Sequence, residues 1–130
     1  MTQEDKELLL KDLCARLPYG LKVKCEKYSF PVTILYAGNI DEVKFKETGG
    51  IEYICAIKPY LRPMSSMTEE ELKEFRACHC VYDLHPDFQP MMCNIANEQS
   101  MFDWLNAHHF DYRGLISMGL AIDATGLNIY

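Results

Sequence analysis

The hydrophobic positions of the first sixty residues change period once. Leu9, Leu10, Leu13, Cys14 and Leu17 recur at helical spacing. Thr2 and Asp5, three apart ahead of them, have the form of a capping box. Pro18-Tyr19-Gly20 stops that helix. The period then falls to two. Over 21–27, Leu21, Val23 and Cys25 alternate with Lys22, Lys24 and Glu26, which predicts a half-buried strand. Val32 to Ala37 is a short apolar run between Pro31 and Gly38-Asn39, a more buried strand. Over 41–47, Val43 and Phe45 alternate with Glu42, Lys44 and Lys46. Gly49-Gly50 is a hairpin signal, and Ile51, Tyr53, Cys55 and Ile57 alternate as the next strand. Four strands on short turns predict an antiparallel meander, a sheet that curls readily toward a small SH3-like barrel.

The second half reads differently. Lys58-Pro59-Tyr60-Leu61-Arg62-Pro63 cannot be helix, and the expectation is an extended segment that leaves the sheet. Thr68-Glu69-Glu70-Glu71 supplies a cap, an acid three positions later and negative charge at the positive end of a helix dipole. That helix is expected to reach about Cys78. Residues 79–97 look irregular, with Cys80-Val81-Tyr82 as a candidate extra strand. A second helix is expected from about Glu98 to His108, with Met101, Trp104, Leu105 and His108 on one face. Asp111 is expected to cap a last short helix, Tyr112 to Met118, closed by Gly119, and Ala124 to Tyr130 reads as a tail. In this corner Trp104, Leu105, Phe110, Leu115 and Ile116 are expected to anchor the unit to the sheet. Arg113 should be exposed or paired with an acid, and His109 peripheral. The expected architecture is one α+β domain spanning 1–130: an N-terminal helix, an antiparallel sheet of four to five strands, and two to three C-terminal helices.

Composition supports a folded chain, since 48% of residues are hydrophobic and 25% charged. The net charge of −6 is uneven. Residues 1–63 hold ten Lys and Arg against nine acids, and residues 64–130 hold three against ten. The acidic half is wrong for binding phosphates, so nucleic acid is an unfavoured partner. No apolar run approaches the ~20 residues that span a bilayer. Met1-Thr2-Gln3-Glu4-Asp5-Lys6 is acidic where a secretory leader is basic, and the expected location is cytoplasmic. The six cysteines are then expected as reduced thiols.

Chemistry-bearing clusters are few. Cys78-His79-Cys80 with His85 and Cys93 offers the ligand types that zinc prefers, but the Cys-x-Cys spacing argues against a tetrahedral site. His108-His109 with Asp111 and Arg113 resembles a base and its orienter, without a nucleophile. Lys22, Lys24, Lys44 and Lys46 would form a basic ridge if their strands paired, with Tyr28 and Tyr36 as stacking groups. Glu26, Glu42 and Glu47 interrupt it, which favours a solvated face. Tyr60, Met64, Met67, Met91 and Met92 fall in segments where an exposed apolar patch would mark a partner site. No phosphate loop, nucleophile elbow or metalloprotease helix is present. The leading expectation is a non-enzymatic protein-interaction module with a protein partner and no cofactor. The alternative is a small metal- or ligand-binding protein, or enzyme, that uses Cys78, Cys80, His85 and Cys93.

Two segments carry a resemblance. Leu8-Leu9-Leu10-Lys11-Asp12-Leu13-Cys14-Ala15-Arg16-Leu17-Pro18-Tyr19-Gly20 and Trp104-Leu105-Asn106-Ala107-His108-His109-Phe110-Asp111-Tyr112-Arg113-Gly114-Leu115-Ile116, with the shorter Ser65-Ser66-Met67-Thr68-Glu69-Glu70, are similar to a family of uncharacterised short proteins from gut Bacteroidales, their phages and mobile elements. The resemblance implies an intracellular accessory protein, and it carries over no activity and no functional residue.

Overall fold

The computed structural model describes residues 1–37, 42–79 and 95–130, with side chains described to 76 in the second segment and from 99 in the third. Helix α1 spans Gln3–Arg16 and starts on the expected capping box: the Thr2 hydroxyl accepts from the Asp5 amide, and the Asp5 carboxylate accepts from the Thr2 amide. Gly20 follows its last turn at φ 69°, a conformation that glycine adopts without penalty. Strands β1 (Lys22–Cys25), β2 (Val32–Ala37), β3 (Glu42–Phe45) and β4 (Ile51–Tyr53) form the expected antiparallel meander.

The fourth expected strand breaks in two. After β4 a 3-10 turn, Ile54–Ala56, shifts the phase, and β5 runs Ile57–Pro63 back along β1. The segment expected to leave the sheet is thus a strand near its centre. Proline excludes helix but suits extended backbone, and Ile57, Pro59 and Leu61 are buried in strict alternation. Among the described residues the sheet has seven strands, six of them in the order β4-β3-β2-β1-β5-β6 and the seventh paired to β5 off that path. Strands β6 (Phe110–Asp111) and β7 (Ile122–Asp123) both run parallel to β5, so the sheet is mixed and larger than the small curled antiparallel sheet expected. Their parallel pairing depends on long connections that leave no local pattern in the sequence.

Helix α1 lays Leu9 and Leu13 on the inner face of the meander, against Val23, Ile34, Val43 and Phe45. Full burial of each such side chain stabilises by roughly 1.5–3 kcal/mol. A second apolar cluster joins helix α2 (Glu69–His79) to helix α3 (Ile95–Ala107) through Met67, Phe75, Met101, Trp104, Leu105 and Phe110. The cap on α2 is as expected: the Thr68 hydroxyl accepts from the Glu71 amide, and the Glu71 carboxylate from the Thr68 amide. The last short helix is absent. Tyr112 to Met118 forms turns, yet Asp111 still plays the capping part by accepting from the amides of Leu115 and Ile116, both at 2.9 Å. The C-terminal tail is built in. The Tyr130 hydroxyl donates to the Tyr60 carbonyl at 2.8 Å and accepts from the Lys22 amide at 3.0 Å.

Candidate functional site

Strand β3 decides the composition of the outer sheet face. Val43 and Phe45 are buried, so Glu42 and Lys44 point away from the core. Side chains directly opposite in an antiparallel pair share a face. Tyr36 lies opposite Lys44, Lys44 opposite Ile51, and Glu42 opposite Tyr53. At Ile34/Tyr36 the register of β2 shifts, and both Leu35 and Tyr36 emerge exposed. Leu35 (51%) and Tyr36 (47%) on β2, and Ile51 (54%) and Tyr53 (59%) on β4, are left exposed on either side of β3. Among the described residues strand β4 is the sheet's edge at this end. It is three residues long and carries Glu52, and a short charged edge strand resists pairing with another strand.

A different arrangement holds the C-terminal corner. Asp12 and Arg16, one turn apart on α1, are fully buried and paired at 2.9 Å. Asp12 also accepts from Arg113 Nε at 3.0 Å, and Arg16 Nη2 donates to the Phe110 carbonyl at 2.6 Å. Arg113 therefore has the acid partner expected of it. Arg62 grips Glu71 through both carboxylate oxygens, at 2.8 and 2.7 Å, and lies over the Phe110 ring. That grip, with the Thr68 amide, holds the Glu71 carboxyl down at about 2. His109 terminates α3 at φ 61°, a conformation that favours glycine or asparagine. It is buried, stacked 3.6 Å from the Tyr130 ring, and its Nδ1 is enclosed without a hydrogen-bond partner among the described residues. Burial, and next the Arg16 charge, lower its imidazole to about 4, so it is neutral at pH 7. The expectation of a peripheral His109 is overturned, because the turn after α3 folds its ring inward under the C-terminal segment.

Arg62, His109 and Tyr130 border a cleft of about 470 Å³ that also takes in Ser66, Thr125 and Asn128. Its charged and aromatic members are already engaged with one another: Arg62 with Glu71, and Tyr130 with His109, Lys22 and Tyr60. The chemistry of the corner is spent on joining α1, β5 and the C-terminal segment. Trp104, expected to be structural, is buried against Phe75, and His108 stacks on it at 3.9 Å.

The basic ridge does not form, because β2 lies between β1 and β3 and separates Lys22 and Lys24 from Lys44 and Lys46. Of the two proposed stacking groups, Tyr28 packs edge-on against Phe45 and Tyr36 is exposed. Met67 is buried, while Tyr60 and Met64 are half-buried. Cys80, His85, Cys93, Met91 and Met92 lie outside the described residues, as do the side chains of Cys78 and His79. Cys14, Cys25 and Cys55 are free thiols. Ile51, Tyr53 and Cys55 keep their expected alternation, but all three are exposed and only Ile57 of that set is buried. The outer face itself was missed. The signal for it was the pairing of Val43 and Phe45 inward across a Gly49-Gly50 hairpin, which turns Ile51 outward.

No family model matches the chain, and neither a curated protein nor a solved structure matches it. Among the described residues no helix is long and apolar enough to cross a membrane.

Proposed function

We propose that the protein is a non-enzymatic interaction module that binds a protein through the outer face of β2, β3 and β4. The observation that carries this reading is the exposure of Leu35 and Tyr36 on β2 and of Ile51 and Tyr53 on β4, on the two sides of Glu42 and Lys44. Exposed apolar side chains grouped on one face mark association sites, and tyrosine is prominent among the residues that anchor them. The free Cys14 and Cys55 thiols on the surface suit a reducing, intracellular setting. The resemblance of both end segments to proteins of gut Bacteroidales and their mobile elements supports an accessory role, carried by a phage or mobile element. The test is a capture experiment from native-host lysate with immobilised wild type and Tyr53→Asp side by side. A protein retained by wild type and lost from Tyr53→Asp is the expected result. Equal recovery by both proteins overturns the reading.

A further inference from the structure

The occupant of this face can be read from its charges. Its outward residues form two rows across the strands: Tyr36, Lys44 and Ile51 in one, Glu42 and Tyr53 in the other. Lys44 and Glu42 lie two residues apart on the central strand of the patch, and neither has a salt bridge among the described residues. Under a two-fold axis, a strand that carries an outward cation and an outward anion two residues apart meets its own copy with opposite charges in register; Lys46, exposed two residues further along, then lies beyond the paired charges. Consider a two-fold axis between two such faces, running across the strands at Val43. That rotation keeps β3 over β3 and β4 over β4 but reverses the strand direction. Lys44 of one copy then sits over Glu42 of the other, and Ile51 over Tyr53, each contact occurring twice. The alternative axis, parallel to the strands and centred on β3, sets Lys44 on Lys44 and Glu42 on Glu42, and like-charge repulsion disfavours it.

We infer that the outer face binds a second copy of this chain, the two sheets packed face to face with antiparallel strands. The inference rests on the interaction reading above and names the partner. Sheets packed in this way lie ~10 Å apart with nearly aligned strands, an arrangement that twisted sheets adopt readily. Three short strands offer less area than the ~800 Å² per partner of a standard interface, so the dimer is a weak one, with a dissociation constant in the micromolar range.

Self-complementarity gives a test that a merely sticky surface cannot imitate. Lys44→Glu leaves positions 42 and 44 both negative, and Glu42→Lys leaves both positive. Each variant alone should be monomeric in sedimentation velocity at concentrations where wild type dimerises, with affinity weakened at least about tenfold. Mixed in equal amounts they should form a heterodimer, visible by native mass spectrometry from their different masses, because every Glu then meets a Lys. The exchanged double variant, Lys44→Glu with Glu42→Lys, should dimerise like wild type. Circular dichroism melts of all variants should coincide with wild type, since both side chains leave the core untouched. A wild type that stays monomeric up to about 1 mM overturns the inference, as do single variants that dimerise normally or a mixture that fails to pair. If wild type is monomeric and Tyr53→Asp still loses a captured foreign protein, the second-copy inference falls and the interaction reading stands.

Discussion

Two sets of ions sit at opposite ends of this molecule under opposite conditions. At the C-terminal corner Asp12, Arg16 and Arg113 are joined within 3.1 Å, and the first two are wholly withdrawn from water. On the outer sheet face Glu42 and Lys44 lie beside exposed Ile51, Tyr53 and Tyr36 without ion-pair partners among the described residues. Charged groups that are buried and paired serve the fold, because any one of them left alone in the interior is costly. Charged groups exposed beside uncovered apolar side chains cost the fold nothing and remain available to a partner. On the proposed reading the same residue types mark architecture in one place and recognition in the other, and burial decides which.

The largest effect expected is at the corner. Asp12→Ala leaves the buried Arg16 guanidinium without its counter-charge and should cost roughly 3–5 kcal/mol in urea unfolding. Replacing both members with apolar residues, Asp12→Leu with Arg16→Met, should cost clearly less than Asp12→Ala alone, because no charge is then stranded. A double variant as unstable as the single one would show that the ions are valued for more than their mutual compensation.

Next comes a pH effect from the same corner. The His109 imidazole titrates near 4 in the folded chain and near 6.5 when unfolded. The unfolded state thus binds the extra proton first as pH falls. Stability is full above pH 6.5, declines as pH falls toward 4, and is flat with respect to this group below that. The total loss should approach roughly 3 kcal/mol. Glu71, held near 2 by Arg62, adds a separate loss between pH 4.5 and 2. His109→Asn, which also tolerates the positive φ, should flatten the profile between pH 6.5 and 4.5 and leave the Glu71 window in place. A wild-type profile already flat between pH 7 and 5 would contradict the burial of a neutral His109.

Much of the first half was legible because strand period and turn chemistry are local. Leu21, Val23, Val43 and Phe45 with Gly49-Gly50 are enough to place a meander, and Thr2-Asp5 and Thr68-Glu71 locate two helix starts. What stayed hidden depends on partners far apart in sequence. Asp12 and Arg16 read as ordinary polar positions on a helix, and only Phe110 and Arg113, about a hundred residues on, make them interior groups. The strand role of Pro59 and the inward ring of His109 are set in the same way, by β1 and by Tyr130. The outer face was hidden for a subtler reason. The alternation of Ile51, Tyr53, Cys55 and Ile57 is real, but the 3-10 turn at Ile54–Ala56 shifts its phase, so the first three face water.

The smallest expected change in stability belongs to the face, and it tests the central claim most directly. Ile51→Ser combined with Tyr53→Ser removes two side chains that are more than half exposed. Unfolding in urea and sedimentation velocity should be measured on the same preparations of this variant and of wild type. The account predicts an unfolding free energy within about 1 kcal/mol of wild type, together with loss of the self-association shown by wild type. A loss of 2 kcal/mol or more, or self-association equal to wild type, would show instead that the chain uses this face for its own fold or for nothing at all.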